Sequence, residues 1–157
     1  MGVTIHGNGI KNVKGKIKVI ENRTNNPEQC FIYIGSYLSA YNRKQFATNG
    51  AYGGKVWAPL KPDYFQWKLR NGIGHATLVR TGKMKVSYTS RPMKVERIGK
   101  TVAVYGTDVK YAHFHQSGTR KMPARIVMQA NAKVRKDIKQ IIADYISGRP
   151  VGIRSMI

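Results

Sequence analysis

Between Tyr111 and Arg125 the chain reads YAHFHQSGTRKMPAR, a run that places aromatic rings, imidazoles, an amide and guanidinium groups within fifteen residues. Side chains of these types recognise partners by hydrogen bonding, stacking and ion pairing. Bond-making chemistry needs stricter spacing, which is absent. His113-x-His115 would put its two imidazoles on opposite faces of a strand, and with His6, His75 and the single Cys30 it makes no known zinc pattern. The carboxylates Glu21, Glu28, Asp63, Glu96, Asp108, Asp137 and Asp144 are scattered rather than clustered as a magnesium nuclease requires. Ser117-Gly118 lacks the flanks of a nucleophile elbow, and Gly50, Gly53 and Gly54 fit neither a P-loop nor a dinucleotide fingerprint. The expectation is a binding protein with no catalytic residues, no metal and no cofactor.

The elements that must position this segment are partly legible from periodicity. Asn26-Pro27-Glu28 offers an N-cap, a first-turn proline and a favourable acidic charge, so a helix should begin there. Phe31, Ile34, Leu38 and Tyr41 continue it with one apolar stripe toward Phe46, and Asn49-Gly50 ends it. From Ala51 to Gly74 the aromatic residues Trp57, Tyr64, Phe65 and Trp67 lie among glycines and prolines, which predicts a long aromatic loop with one short helix after Pro62. Met84, Val86 and Tyr88 alternate with polar residues as in a half-buried strand. A hairpin should follow, Met93 to Ile98 and Thr101 to Thr107 joined by Gly99-Lys100. Val127, Ala130, Val134, Ile138, Ile141, Ile142 and Tyr145 then line one side of a last long helix, which Ser147-Gly148-Arg149-Pro150 stops. Gly2 to His6 has the look of a first strand, while the Lys-rich segment through Glu21 has no assignable state.

These elements add up to an α+β fold: three to four antiparallel strands against two longer helices, with the aromatic loop beside them. A chain of 157 residues suits one domain over 1–157, with 1–25 and 148–157 as its loosely held ends. The lone Cys30 and the lack of an export segment before it fit a reducing compartment, and no apolar run approaches the ~20 residues of a membrane span.

The charge is +21, from 28 Lys and Arg against seven Asp and Glu. The cations are spread from Lys11 to Arg154 rather than gathered in one arm, so a folded basic surface is expected. Such a surface suits nucleic acid, an acidic neighbour or solubility alike. No helix-turn-helix, zinc-finger or RNA-binding signature accompanies it.

A fixed order of short motifs narrows the field. Gly54-x-x-Trp57-x-Pro59-Leu60, Tyr64, Lys68, then Leu78-x-x-Thr81-Gly82-x-Met84-x-x-Ser87, Tyr111-Ala112-x-x-His115-Gln116-x-Gly118 and Pro123-Ala124-Arg125 occur in this sequence, between about Phe46 and Val127. In that order they resemble the phage virion morphogenesis family, the tail completion proteins of tailed bacteriophages. The resemblance implies a non-enzymatic virion component at the tail or neck, assembled in the host cytoplasm. It also implies a homo-oligomeric ring, hexameric by family habit, between connector or neck proteins and the tail tube. Trp57, Leu60, Tyr64, Tyr111, His115, Gln116, Arg120 and Arg125 are the candidate subunit-interface residues, since interfaces favour aromatics and arginine. Arg125, after Pro123-Ala124, is expected to fork onto a carboxylate, within a subunit or between two. The charge suggests proximity to packaged DNA. The alternative is a basic nucleic-acid-binding protein that contacts phage DNA.

Overall fold

The computed structural model of the protein describes residues 8–157, and the strand expected at Gly2–His6 lies outside them. The Lys-rich segment is a helix, α1 (Asn8–Asn25). Helix α2 (Glu28–Ala47) follows directly, as the Pro27-Glu28 signal predicts. Asn26 does not cap it: Pro27 stands at the N-cap, and the Asn26 amide turns back to donate to Asn22 O at 2.9 Å.

Helix α2 is the central element, because it is buried on two sides. Its apolar stripe of Cys30, Ile34, Tyr37, Leu38 and Tyr41 packs with Val134 and Ile141 of α6 (Ala132–Ser147). Its polar side chains are buried as well, which is tolerated because they bond to backbone. Ser39 Oγ donates to Thr89 O at 2.7 Å and Asn42 Nδ2 to Tyr88 O at 3.1 Å, so α2 satisfies the carbonyls that end α4 (Lys83–Thr89).

That α4 is a helix corrects the strand expected at Met84–Tyr88. Met84, Ser87 and Tyr88 are buried while Val86 is 61% exposed, an i, i+3, i+4 pattern that outweighs the short alternation. The sheet consequently has two strands, β1 (Val95–Ile98) and β2 (Ala103–Gly106), antiparallel in the register Val95↔Gly106 to Ile98↔Ala103. Among the described residues three or four strands do not form. The link is four residues long, Gly99 to Val102, closed by Gly99 N donating to Val102 O at 2.8 Å, rather than a two-residue turn. The hairpin lies against α2 where Gly35 leaves room; a Cβ there would sit 2.8 Å from the Tyr105 ring.

The expected long loop is also reorganised. Ala51–Gly53 forms a 3-10 turn, and α3 (Pro62–Arg70) fills the middle of the segment, starting at Pro62 as predicted. Helix α6 starts at Ala132, later than the apolar pattern suggests, because Asn131 caps it by accepting from Val134 N at 2.9 Å. Val127 and Ala130 therefore precede the helix, and Val127 belongs to a second core with Phe46, Trp57, Met84, Tyr88, Val109 and Ala112. Gly148, with φ 81°, ends α6 in the left-handed conformation. The tail docks on its own fold: Val151, Ile153, Met156 and Ile157 pack against the α2–α6 core, and Lys133 Nζ donates to Met156 O at 2.7 Å. Met156 closes the last short helix, α7 (Ile153–Met156).

Candidate functional site

The segment after Tyr111 is a short helix, α5 (Ala112–Ser117), with Tyr111 at its N-cap. Gly118 ends it with φ 77°, and the chain returns through a bridge between Thr119 and Met122, so that Arg125 N donates to His115 O at 2.6 Å. A Cβ on Gly118 would lie 2.8 Å from Ala124 N, so this close return needs glycine.

Two residues of the segment hold it to the second core. Gln116 accepts from Val127 N at 3.1 Å and donates to Met128 O, clasping the chain that leaves the turn. Arg125 is 6% exposed, and its guanidinium donates from Nε to Ala58 O and from Nη2 to Pro59 O, both at 2.8 Å. Within the subunit the expected carboxylate fork is a carbonyl fork. It succeeds because Trp57 has fixed the strip it grips: Trp57 Nε1 donates to Ile126 O at 2.9 Å, its ring meets Phe46 edge-on at 5.5 Å, and Gly50 (φ 88°) lets the ring close against the backbone.

On the outer side of this strip opens a cavity of about 720 Å³. Leu60, Tyr64, Tyr111, His115 and Arg125 of the expected set line it together. Trp57 and Gln116 act behind it as supports, and the exposed Arg120 is not among its lining residues. The far wall comes from Leu78 to Met84, whose left-handed Gly82 starts α4.

One lining residue that carries weight was named in the sequence only for its place in the motif order. Lys68 is 1% exposed, and its ammonium donates to Ala76 O at 2.7 Å and Val79 O at 2.8 Å. Its i, i+4 relation to Tyr64 on α3 is the signal that puts both on one face. Burial lowers the pKa of Lys68 and of Arg125. Burial, with the Arg125 charge added, also lowers that of His115; its Nδ1 is buried with no hydrogen-bond partner among the described residues. Lys61, Arg80, Lys83 and Lys121 complete a lining that contains cations and no Asp or Glu. At the rim Tyr64 stacks on Trp67 at 5.6 Å, with the Arg80 guanidinium 5.1 Å above the Trp67 ring.

A comparison with known families agrees with the resemblance: a model of the phage virion morphogenesis family matches residues 9–147. The chain belongs to the phage virion morphogenesis family. The match takes in α1 to α6 and every residue around the cavity. No curated protein and no solved structure matches the chain. Family membership gives the protein a role in building the bacteriophage virion. Among the described residues no helix is long and apolar enough to cross a membrane, and no three His, Cys, Asp or Glu residues group as a metal site.

Proposed function

We propose that the protein is a non-enzymatic tail completion subunit that associates into a ring at the neck or tail end and joins it to adjoining virion proteins. The observation that carries this reading is where the family's motif residues go. Leu60, Tyr64, Lys68, Leu78, Thr81 to Met84, Tyr111, His115 and Arg125 gather around one surface cavity, whereas the helical framework of α2 and α6 lies behind it. Trp57 and Ala112 of the same motif order belong to the second core, with Trp57 holding the strip behind the cavity.

A closed ring uses head-to-tail contacts and needs two different patches on each subunit. The cavity face with exposed Tyr64 and Tyr111 supplies one. Helix α1 supplies the other, since Val13, Ile17 and Ile20 stay exposed among its lysines. A ring of such copies, six by the family resemblance, sits between connector and tube.

The test is imaging of particles assembled with and without this chain. Loss should leave unjoined heads or tails of irregular length, and particles of normal form would overturn the reading. The +21 charge favours a second reading, direct contact with DNA. In that case affinity for duplex should fall steeply as salt rises through counterion release, while ring mass, measured by light scattering, should hold.

A further inference from the structure

We propose that the cavity between α3, α5 and the Leu78–Met84 wall is a docking site for an extended acidic segment of a neighbouring virion protein, its carboxylate drawn to Lys68 and Arg125 and an apolar side chain held against Leu60, Leu78 and Met84. The identity of the neighbour rests on the joining role given above; the chemistry of the site does not.

A cation removed from water ordinarily carries a carboxylate with it, because an unpaired buried charge costs several kcal/mol, on the order of the whole penalty an ion pair exists to offset. Lys68 and Arg125 have only carbonyl oxygens of Ala76, Val79, Ala58 and Pro59. Carbonyl dipoles orient the two groups without neutralising them. An ammonium has three N–H groups, of which Lys68 uses two, and Arg125 has its Nη1 left over. The ion pairs of the described residues use Glu96, Asp137 and Asp144, none of which lines the cavity. None of the seven carboxylates lines the cavity, so an anion that meets Lys68 and Arg125 there comes from another molecule.

Shape selects the class of anion. A duplex presents its phosphates on a convex rod, which meets projecting side chains and cannot enter a cavity of about 720 Å³. A sugar-phosphate backbone also has nothing to set against Leu60, Leu78, Val79, Met84 and Met122. A peptide that alternates acidic and apolar side chains satisfies both walls. A second copy of this chain is a poor donor of such a segment, since its seven carboxylates are scattered along the sequence and Glu96, Asp137 and Asp144 are already in ion pairs.

The experiment titrates the isotope-labelled full chain, at physiological salt, with blocked decapeptides alternating Glu and Leu, Gln and Leu, or Glu and Ser, and with a short DNA duplex and oligothymidine. The Glu-Leu peptide should shift the amides of Lys68, Met84 and His115, and the other two peptides should bind about tenfold more weakly or worse. Lys68→Met should weaken binding by about tenfold, and Lys121→Glu, exposed at the rim and harmless to folding, by a similar factor. Lys139→Glu on α6 makes the same charge change away from the cavity and should leave affinity as it is. Equal weakening by Lys121→Glu and Lys139→Glu, equal binding of the Gln-Leu peptide, or occupation of the same amides by the nucleic acids and not by the Glu-Leu peptide would each overturn the proposal. Normal particles in the absence of the chain would remove the joining role yet leave this titration standing, so the two failures are distinct.

Discussion

Around α2 and α6 each buried carboxylate has a cation or a hydroxyl in hand; around the cavity the buried cations have none. Asp137 accepts from Tyr37 OH and Lys133 Nζ, each at 2.7 Å, Asp144 meets Arg149 Nε at 3.0 Å, and Glu96 takes both Arg91 and Met93 N. Burial and the Asp137 carboxylate together push the Tyr37 hydroxyl well above its ordinary pKa, so it stays a donor. Lys68 and Arg125, equally buried, are held by carbonyls alone. The first arrangement closes its electrostatics within the chain and serves stability. The second leaves a charge to be met, which is how a surface is kept ready for another molecule.

The contrast is sharpest if both halves nevertheless fold together, and α2 gives the reason they should. Its residues Cys30 to Tyr41 belong to one core and Phe46 to the other, on a single continuous helix. Ile141→Ala in the framework should cost ~2–5 kcal/mol and Trp57→Ala behind the cavity ~3–5 kcal/mol. For a chain of this length that is about 10 °C in the melting midpoint in either case. Calorimetry should show one transition in both variants. A Trp57→Ala protein that melts in two steps, with the helical signal surviving the first, would mean that the cavity half is a separate unit.

What the sequence disclosed follows the same division. The framework was legible because α2 and α6 are long enough for a 3.6-residue period to show and are bounded by Pro27, Gly50 and Gly148. The cavity half was misread where elements are short. Seven residues of α4 fit a two-residue period nearly as well as a helical one, and α5 has six. Leu60, Tyr64, Tyr111, His115 and Arg125, singled out by residue type and order as interface candidates, line one cavity. The partners of Arg125 were not legible, because carbonyls of Ala58 and Pro59 leave no mark on a sequence, and α6 began late because the Asn131 cap outweighed the apolar run upstream.

A smaller effect probes the carbonyl fork itself. Arg125→Lys keeps the charge but replaces a planar fork by a point donor, so one of the two carbonyls loses its partner. The expected loss is ~1–3 kcal/mol, a few degrees in the melting midpoint, at neutral pH. A variant as stable as the parent would show that Trp57 and Gln116 fix the 57–60 strip without help.

The smallest effect separates the two halves by pH. Tyr105, pushed up to about 12 by burial and the Glu96 charge, has a folded pKa above its unfolded value, so its contribution is complete below ~10 and is lost as pH climbs from there through about 12. His115 runs the other way. Its folded pKa is depressed by burial and by Arg125, so the unfolded chain takes up the proton first. Stability is therefore undiminished above ~6.5 and declines as pH falls through that value toward the folded pKa. His115→Asn should flatten the melting midpoint between about pH 5 and 7, before carboxylates begin to titrate, and leave the alkaline limb alone. Tyr105→Phe should do the reverse, apart from a constant offset for the lost bond to Phe31 O. If His115→Asn leaves the acid slope unchanged, the imidazole is open to water, and the cavity floor beside Arg125 is wetter than its burial implies.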